Sequence, residues 1–343
     1  MAIDELSVHN FRAIQSETLK EIPPVAGIWG RNGCGKSAVL QSIVALKNFA
    51  EVGYGPEPVP ALNSHGLALG GWDTIFFKGQ SPGKQLSIEA KGRAGVRLGL
   101  FQLAGTVTID VPDSSFPGSI RYFPTQRTLT ERTYPISDYS TAGLALSPNI
   151  MHPYVHWFIH QKLYERQQTG LANELDDVNK WLRGFGLGEI SDRPTQGPQA
   201  TVSGMFTDAA TGYGAPIIDG GFGGNSMLSI LLEAYSFKNG ILLVEEPEMS
   251  LHPGAQADLF DLFVTLAEKR GHQVIFTSHS EYLLRRFARY GKDNLSSKTI
   301  GAYHGQKDAA GAHFTRLPMD ELIKRWEERH EDILLDLHHR PPI

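Results

Sequence analysis

The octapeptide GRNGCGKS at residues 30–37 constrains this chain more than any other segment. It fits the pattern G-x-x-x-x-G-K-[ST] at every fixed position, the spacing of a loop that cradles phosphate groups. Gly30, Gly33 and Gly35 permit a tight turn whose backbone N–H groups face a polyphosphate. Lys36 is long enough to reach the terminal phosphates, and the Ser37 hydroxyl suits Mg²⁺. The flanks agree with the loop. Residues 25–29 are an apolar run, as a buried strand requires. After the loop, Val39, Leu40, Ile43, Val44 and Leu46 recur at helical spacing, which predicts a helix whose N-terminus adds partial positive charge.

A second segment, ILLVEEPEMSLHP at residues 241–253, adds carboxylates. Residues 241–244 predict a short, fully buried parallel strand. Glu245 and Glu246 follow at its C-terminal end, where ligands bind in open α/β sheets. Of two such carboxylates, one can hold hydrated Mg²⁺ and the other can polarise an attacking water. Residues 273–277 (QVIFT) predict a further strand, with Ser278, His279 and Ser280 just after it. A neutral histidine there can reach a γ-phosphate or the water beside it.

With these motifs in order, the chain resembles the ABC/SMC-type ATPases, and within them the bacterial RecF/OLD-like ATPases. The opening LSVHNFRAI feeding the phosphate loop, IRYFPTQRTLTERTYP at residues 120–135, VNKWLRGFGLG at 178–188, GGFGGNS at 220–226, EEPEMSLHP and TSHS all carry the likeness, in patches over residues 1–317. The fold implied is an α/β P-loop core with a mixed sheet, an added antiparallel sheet and a helical insert. The resemblance implies ATP and Mg²⁺ as cofactors. It implies nucleotide contacts at Gly30, Arg31, Asn32, Gly33, Cys34, Gly35, Lys36 and Ser37. It makes Glu246 the catalytic base, His279 the switch histidine, and Ser37 and Glu245 the metal residues. Gln126 is the first candidate for the metal-binding glutamine of that family, with Gln102 second. Gly223, Gly224 and Asn225 fall in the signature segment, which in ABC-type dimers caps the nucleotide of the opposite protomer. Three departures stand out: Glu245 replaces the usual Asp, the LSGGQ signature is missing, and that glutamine is not fixed by its context.

Composition is compatible with this reading. The chain has 343 residues, 41% hydrophobic and 20% charged, enough for a large core in one elaborated domain or two lobes. Its net charge of −5 neither requires nor forbids nucleic acid. The single cysteine, Cys34, excludes an intramolecular disulfide and reads as a small filler of the loop. No apolar run approaches the length of a membrane span, and the expected compartment is the cytoplasm.

Four segments are expected: an N-terminal ATPase lobe over 1–135, a mainly helical insert over 136–213, a C-terminal ATPase lobe over 214–317, and an amphipathic helix within 318–343. Alternation in SIEA and TVTID predicts an antiparallel sheet beside the parallel one. Residues 153–168 and 171–185 read as helices, and the Gly/Pro/Thr-rich 193–215 as a loop or irregular hairpin. No sustained heptad is present, so the long coiled-coil arm of SMC proteins is not expected. Leu322, Ile323, Trp326, Ile333, Leu334 and Leu337 give the last helix an apolar face, read as packing on the core rather than docking a partner. Arg121, Arg127 and Arg132 cluster near a strand end. His152, His156 and His160 share a helix face but have no acidic neighbour at metal-ligand spacing.

The function expected from these features is ATP-driven switching in a homodimer with composite ATP sites. The switch would gate a separate effector, a nuclease or toxin, in anti-phage defence. The family resemblance alone supplies that setting. A RecF-like DNA-binding ATPase is the alternative, with DNA or RNA as partner, and a transporter ATPase subunit comes third.

Overall fold

A computed structural model describes residues 2–52, 62–63, 67–79, 85–92, 97–103, 106–110, 120–125, 134–135, 173–194, 201–208, 211–219, 221–294 and 298–328. In chain order the strands are β1 (Ile3–Phe11), β2 (Ile14–Leu19), β3 (Val25–Gly30), β4 (Leu86–Gly92), β5 (Arg97–Leu103), β6 (Thr106–Asp110), β7 (Ile120–Phe123), β8 (Tyr134–Pro135), β9 (Glu189–Pro194), β10 (Thr201–Thr207), β11 (Gly214–Pro216), β12 (Ile241–Glu245), β13 (Gln273–Ser278), β14 (Ile300–Asp308) and β15 (Gly311–Leu317). The helices are α1 (Lys36–Val52), α2 (Trp72–Ile75), α3 (Asn173–Gly184), α4 (Phe222–Ser236), α5 (Pro253–Arg270), α6 (Glu281–Asp293) and α7 (Met319–Glu327). The chain forms two compact units. One comprises Met1–Tyr122, Asn239–Glu246 and Phe263–Ile343; the other comprises Phe123–Lys238 and Pro247–Leu262.

The first unit holds two sheets. One has six strands in the order β15-β14-β3-β13-β12-β7, and the other has five in the order β2-β1-β4-β5-β6. Every residue of β3, β12 and β13 is buried, which is why the sequence shows runs there instead of alternation. The five-stranded sheet is antiparallel throughout and contains both alternating segments, SIEA on β4 and TVTID on β6. Helix α1 buries Val39, Leu40, Ile43, Val44, Leu46 and Phe49 in one cluster with Val8 and Phe11 of β1, Ile88 of β4 and Leu243 of β12. A helix apolar nearly all round needs cover on more than one side, and residues from both sheets provide it. Each fully buried aliphatic side chain there contributes about 1.5–3 kcal/mol.

Two polar links lock this core. The Gln273 amide mimics a strand neighbour: its Oε1 accepts from the Ile3 N–H at 2.7 Å and its Nε2 donates to the Ile3 carbonyl at 2.7 Å. Trp29, fully buried at the end of β3, lies edge-on to Phe276 and Phe287, each at 5.4 Å between ring centres. Its indole N–H donates to the Ser280 carbonyl at 3.3 Å. Helix α7 packs on α6 and buries Leu322 and Ile323. Ile333, Leu334 and Leu337 lie outside the described residues.

In the second unit, β10 pairs antiparallel with β9 on one side and with β8 and β11 on the other. Of the loop or irregular hairpin expected over 193–215, the described residues form the hairpin, β10 paired antiparallel with β11. Backbone pairing and the β-favouring Thr, Val, Met and Phe of β10 outweigh the Gly and Pro around them. Helix α3 fits the helix expected over 171–185. It buries Leu175, Val178 and Leu182 and stops at Gly186, whose φ is 73°. There the Leu187 N–H returns to the Leu182 carbonyl and the Gly186 N–H to that of Arg183, a Schellman stop. The Trp181 indole donates to the Tyr235 hydroxyl at 3.0 Å, tying α3 to α4. The helix expected over 153–168 lies outside the described residues, as do His152, His156 and His160. Among the described residues no helix is long and apolar enough to cross a membrane.

Candidate functional site

Strands β3, β12 and β13 run parallel, so the residues that follow them emerge at one edge of the six-stranded sheet. The register sets Glu245 opposite Thr277 and Ser278 opposite Trp29. A cavity of about 570 Å³ opens there, and Lys36, Ser37, Glu246 and His279 line it together. Arg12, Asn32, Gly33, Gly35, Gln41 and Lys307 complete its polar and loop wall.

The loop before α1 owes its shape to glycine. Gly33 has φ 76°, and a Cβ there would meet no atom within 4 Å, so the bare turn faces open space. Gly35 has φ 97°, and a Cβ would lie 2.6 Å from that of Ala312, so only glycine fits against β15. Lys36 is buried, and its ammonium donates to the Gly30 carbonyl at 2.8 Å and the Arg31 carbonyl at 3.1 Å. The lysine therefore holds the loop curled over itself. Cys34 is buried, with Sγ close against Gly30 and Gly305. Burial pushes its thiol pKa up despite the nearby Lys36 charge, as suits a filler rather than a reactive thiolate.

The two adjacent carboxylates have different surroundings. Glu245 is buried and accepts from the Tyr122 hydroxyl at 2.9 Å and from the Gln41 amide at 3.4 Å. Burial, then the Glu245 charge, hold the Tyr122 phenol far above its ordinary pKa, so it stays a neutral donor. At Glu246 the chain turns into the left-handed region, φ 42°, while its N–H bonds to the Thr277 carbonyl at 3.0 Å. That conformation costs about 1–2 kcal/mol for an L-residue and turns the second carboxylate toward the cavity. His279 faces it, with Nε2 3.8 Å from Glu246 Oε1. Burial, then the Lys36 charge, lower the His279 pKa, while Glu246 opposes them. The imidazole is therefore neutral at physiological pH and able to donate with one nitrogen and accept with the other.

The signature residues belong to the second unit. Gly221 precedes α4 with φ 80° and is exposed, whereas Gly223, Gly224 and Asn225 are buried. A Cβ on Gly223 would lie 2.5 Å from the Ser250 carbonyl oxygen. The Asn225 amide donates to the Gly221 carbonyl at 3.0 Å and the Ile218 carbonyl at 3.4 Å, inside its own turn. Gln126, Arg127 and Arg132 lie outside the described residues, and Gln102 sits on β5 opposite Leu86 in the antiparallel sheet. Among the described residues, the glutamine at the cavity is Gln41, which the motifs did not point to. Its signal was available: Gln41 stands four residues after Ser37 on one helix face. Arg12, Tyr122 and Lys307 were missed as well, because they reach the site only through sheet pairing.

The AAA ATPase domain family matches residues 159–284. No curated protein sequence matches the chain. Among solved structures, an SMC head bound to the C-terminal winged-helix domain of ScpA superposes with a TM-score of 0.59 at 12% identity, over 94% of this chain and 99% of that one. The SMC head domain of Pyrococcus furiosus with an extended coiled coil, bound to the C-terminal domain of ScpA, gives 0.51 at 12% identity, over 95% and 98%. Likeness at this identity speaks to the fold alone: the chain has the fold of the SMC head domains, and a segment of it matches the AAA ATPase domain family.

Proposed function

We propose that the chain binds ATP with Mg²⁺ and hydrolyses it. One observation carries this: Lys36, Ser37, Glu246 and His279, drawn from three separate motifs, line a single cavity beside a glycine loop and a helix N-terminus. Its 570 Å³ falls within the range of small-molecule sites. The donors fit the ligand. Backbone N–H groups of residues 30–37, Lys36 and the start of α1 suit a polyphosphate, and Ser37 and Glu245 suit a hard divalent cation. Bound there, ATP·Mg²⁺ supplies a phosphoanhydride activated toward attack by water.

The remaining chemistry belongs to the side chains. Glu246, half-exposed at the cavity wall, accepts the proton of an attacking water. Neutral His279, its Nε2 3.8 Å from Glu246 Oε1, orients that water or a phosphate oxygen by hydrogen bonding. Glu245, buried and held by the Tyr122 hydroxyl and the Gln41 amide, is the carboxylate for the cation. We further propose that the ATP cycle acts as a switch read by a separate protein. The solved SMC heads were captured with a domain of ScpA, which supports a partner-reading role for this fold. The RecF/OLD-like motifs suggest a nuclease or toxin of anti-phage defence as that partner.

Lys36→Ala tests the site. Arg12 and Lys307 remain at the cavity, but the loop loses both its internal clamp and its nearest charge. Equilibrium binding should weaken by about 10²-fold or more, since charge-assisted bonds are worth roughly 1.5–3 kcal/mol each. Unchanged ATP affinity would sink the assignment.

A further inference from the structure

Glu245 stands where a shorter aspartate is usual, and this chain surrounds its longer side chain with a specific set of donors. Glu245 Oε1 accepts from the Tyr122 hydroxyl at 2.9 Å and from Gln41 Nε2 at 3.4 Å. The other end of the Gln41 amide, Oε1, accepts from the Arg12 guanidinium. Arg12 is held in turn: it occupies the tight β1–β2 turn at φ 50°, and its N–H donates to the Ile75 carbonyl at 2.6 Å. The four side chains form one hydrogen-bonded line, Arg12–Gln41–Glu245–Tyr122, of which Arg12 and Gln41 line the cavity.

The chemistry of the ends fixes the middle. A guanidinium can only donate and an ionised carboxylate can only accept, so the amide between them has one orientation, oxygen toward Arg12 and nitrogen toward Glu245. Gln41 thereby keeps a cation one amide away from Glu245. A direct Arg12–Glu245 pair would cancel the negative charge a divalent cation needs, whereas two neutral donors restrain the carboxylate and leave its charge in place. The tyrosine suits this role because its hydroxyl reaches Glu245 Oε1 as a neutral donor and its rigid ring leaves few rotamers.

We infer that Gln41 and Tyr122 are positioning residues that hold the Glu245 carboxylate for a divalent cation. This rests on the nucleotide-site reading above. It concerns the metal and not the phosphates, so the two separate experimentally.

The probe is Mn²⁺, followed by its electron paramagnetic resonance in the presence of a non-hydrolysable ATP analogue. Binding of the same analogue without metal is measured alongside. Tyr122→Phe keeps the ring and removes one oxygen; Gln41→Leu keeps the length and removes the amide. Each variant should weaken Mn²⁺ binding by about tenfold, the lower end of the loss seen when a metal ligand's outer partner is removed. Metal-free analogue binding should stay at the wild-type value in Tyr122→Phe, whose side chain is not part of the cavity wall. Wild-type Mn²⁺ affinity in both variants overturns the inference. So does an equal loss of metal-free binding in Tyr122→Phe, which would mark a general structural role. Failure of the wild-type protein itself to bind Mn²⁺ with the analogue overturns the nucleotide-site reading and this inference with it, an outcome recognisable because no variant is needed to see it.

Discussion

Glu245 and Glu246 are neighbours in sequence and opposites in setting, one buried under two donors and the other turned out at positive φ toward His279. That difference decides which carboxylate to substitute first. Glu246→Gln should preserve ATP binding and slow steady-state hydrolysis by about 10²-fold or more, the usual worth of a positioned general base. The ordering of the pair is wrong if Glu245→Gln gives that phenotype while Glu246→Gln turns over normally. The histidine offers an independent check. Its pKa is lowered by burial and by Lys36 and raised by Glu246. In NMR titrations the wild-type His279 midpoint should lie below the ordinary value of about 6.5. Lys36→Ala should move it upward and Glu246→Gln should move it further down; shifts of the opposite sign would show that the three charges do not share a site. Residues 30–37, Glu245, Glu246 and His279 were legible because each sits at a fixed offset in a short motif. Arg12 and Tyr122 were not, since their partners are 29 and 123 positions away in sequence, whereas Gln41 was marked by its helical offset from Ser37 and passed over.

At the scale of elements, legibility followed burial. Strands β3, β12 and β13 are covered on both faces and announce themselves as apolar runs. Strands β9 to β11 do not, because Gly, Pro and Thr obscure the pattern and pairing to β10 supplies what propensity lacks. The β14–β15 hairpin shows the same limit and yields a test. It borders the site through Lys307 and Ala312, and it is pinned to β2 by His313, whose Nδ1 lies 2.7 Å from Glu17 Oε1 and whose Nε2 lies 3.3 Å from Asp308 Oδ1. Burial pulls the His313 pKa down, but hydrogen bonds and charge from Glu17 and Asp308 outweigh it and raise the value. A raised folded-state pKa means the native protein holds the proton more tightly than the unfolded chain. The resulting stabilisation is complete below the unfolded value of about 6.5 and disappears as pH climbs through the folded value above it. His313→Gln should therefore destabilise the protein more at about pH 5.5 than at about pH 9 in denaturant titrations. Equal destabilisation at both would mean the imidazole charge does not pin the hairpin.

For the whole molecule, the open question is what covers the exposed side of the cavity, where Glu246 and His279 remain half accessible to water. A second protomer is the simplest cover, because the N-terminus of its α4 would bring backbone donors and exclude solvent, and two such contacts close with twofold symmetry. Gly223→Asp is a poor probe of that arrangement. Its Cβ would strike the Ser250 carbonyl of its own unit, so loss of activity would report a broken turn as readily as a lost partner contact. Slowing hydrolysis leaves every surface intact and asks the question directly. With ATP and Mg²⁺, Glu246→Gln should migrate as a dimer in light scattering coupled to size-exclusion chromatography, and as a monomer without nucleotide. Adding Lys36→Ala to the same chain should abolish the dimer, because closure then has no ligand to bridge. A Glu246→Gln protein that binds ATP stoichiometrically yet stays monomeric at all concentrations would mean each protomer completes its own site. The exposed Glu246–His279 wall would then have to be shielded by something other than a second copy of the chain.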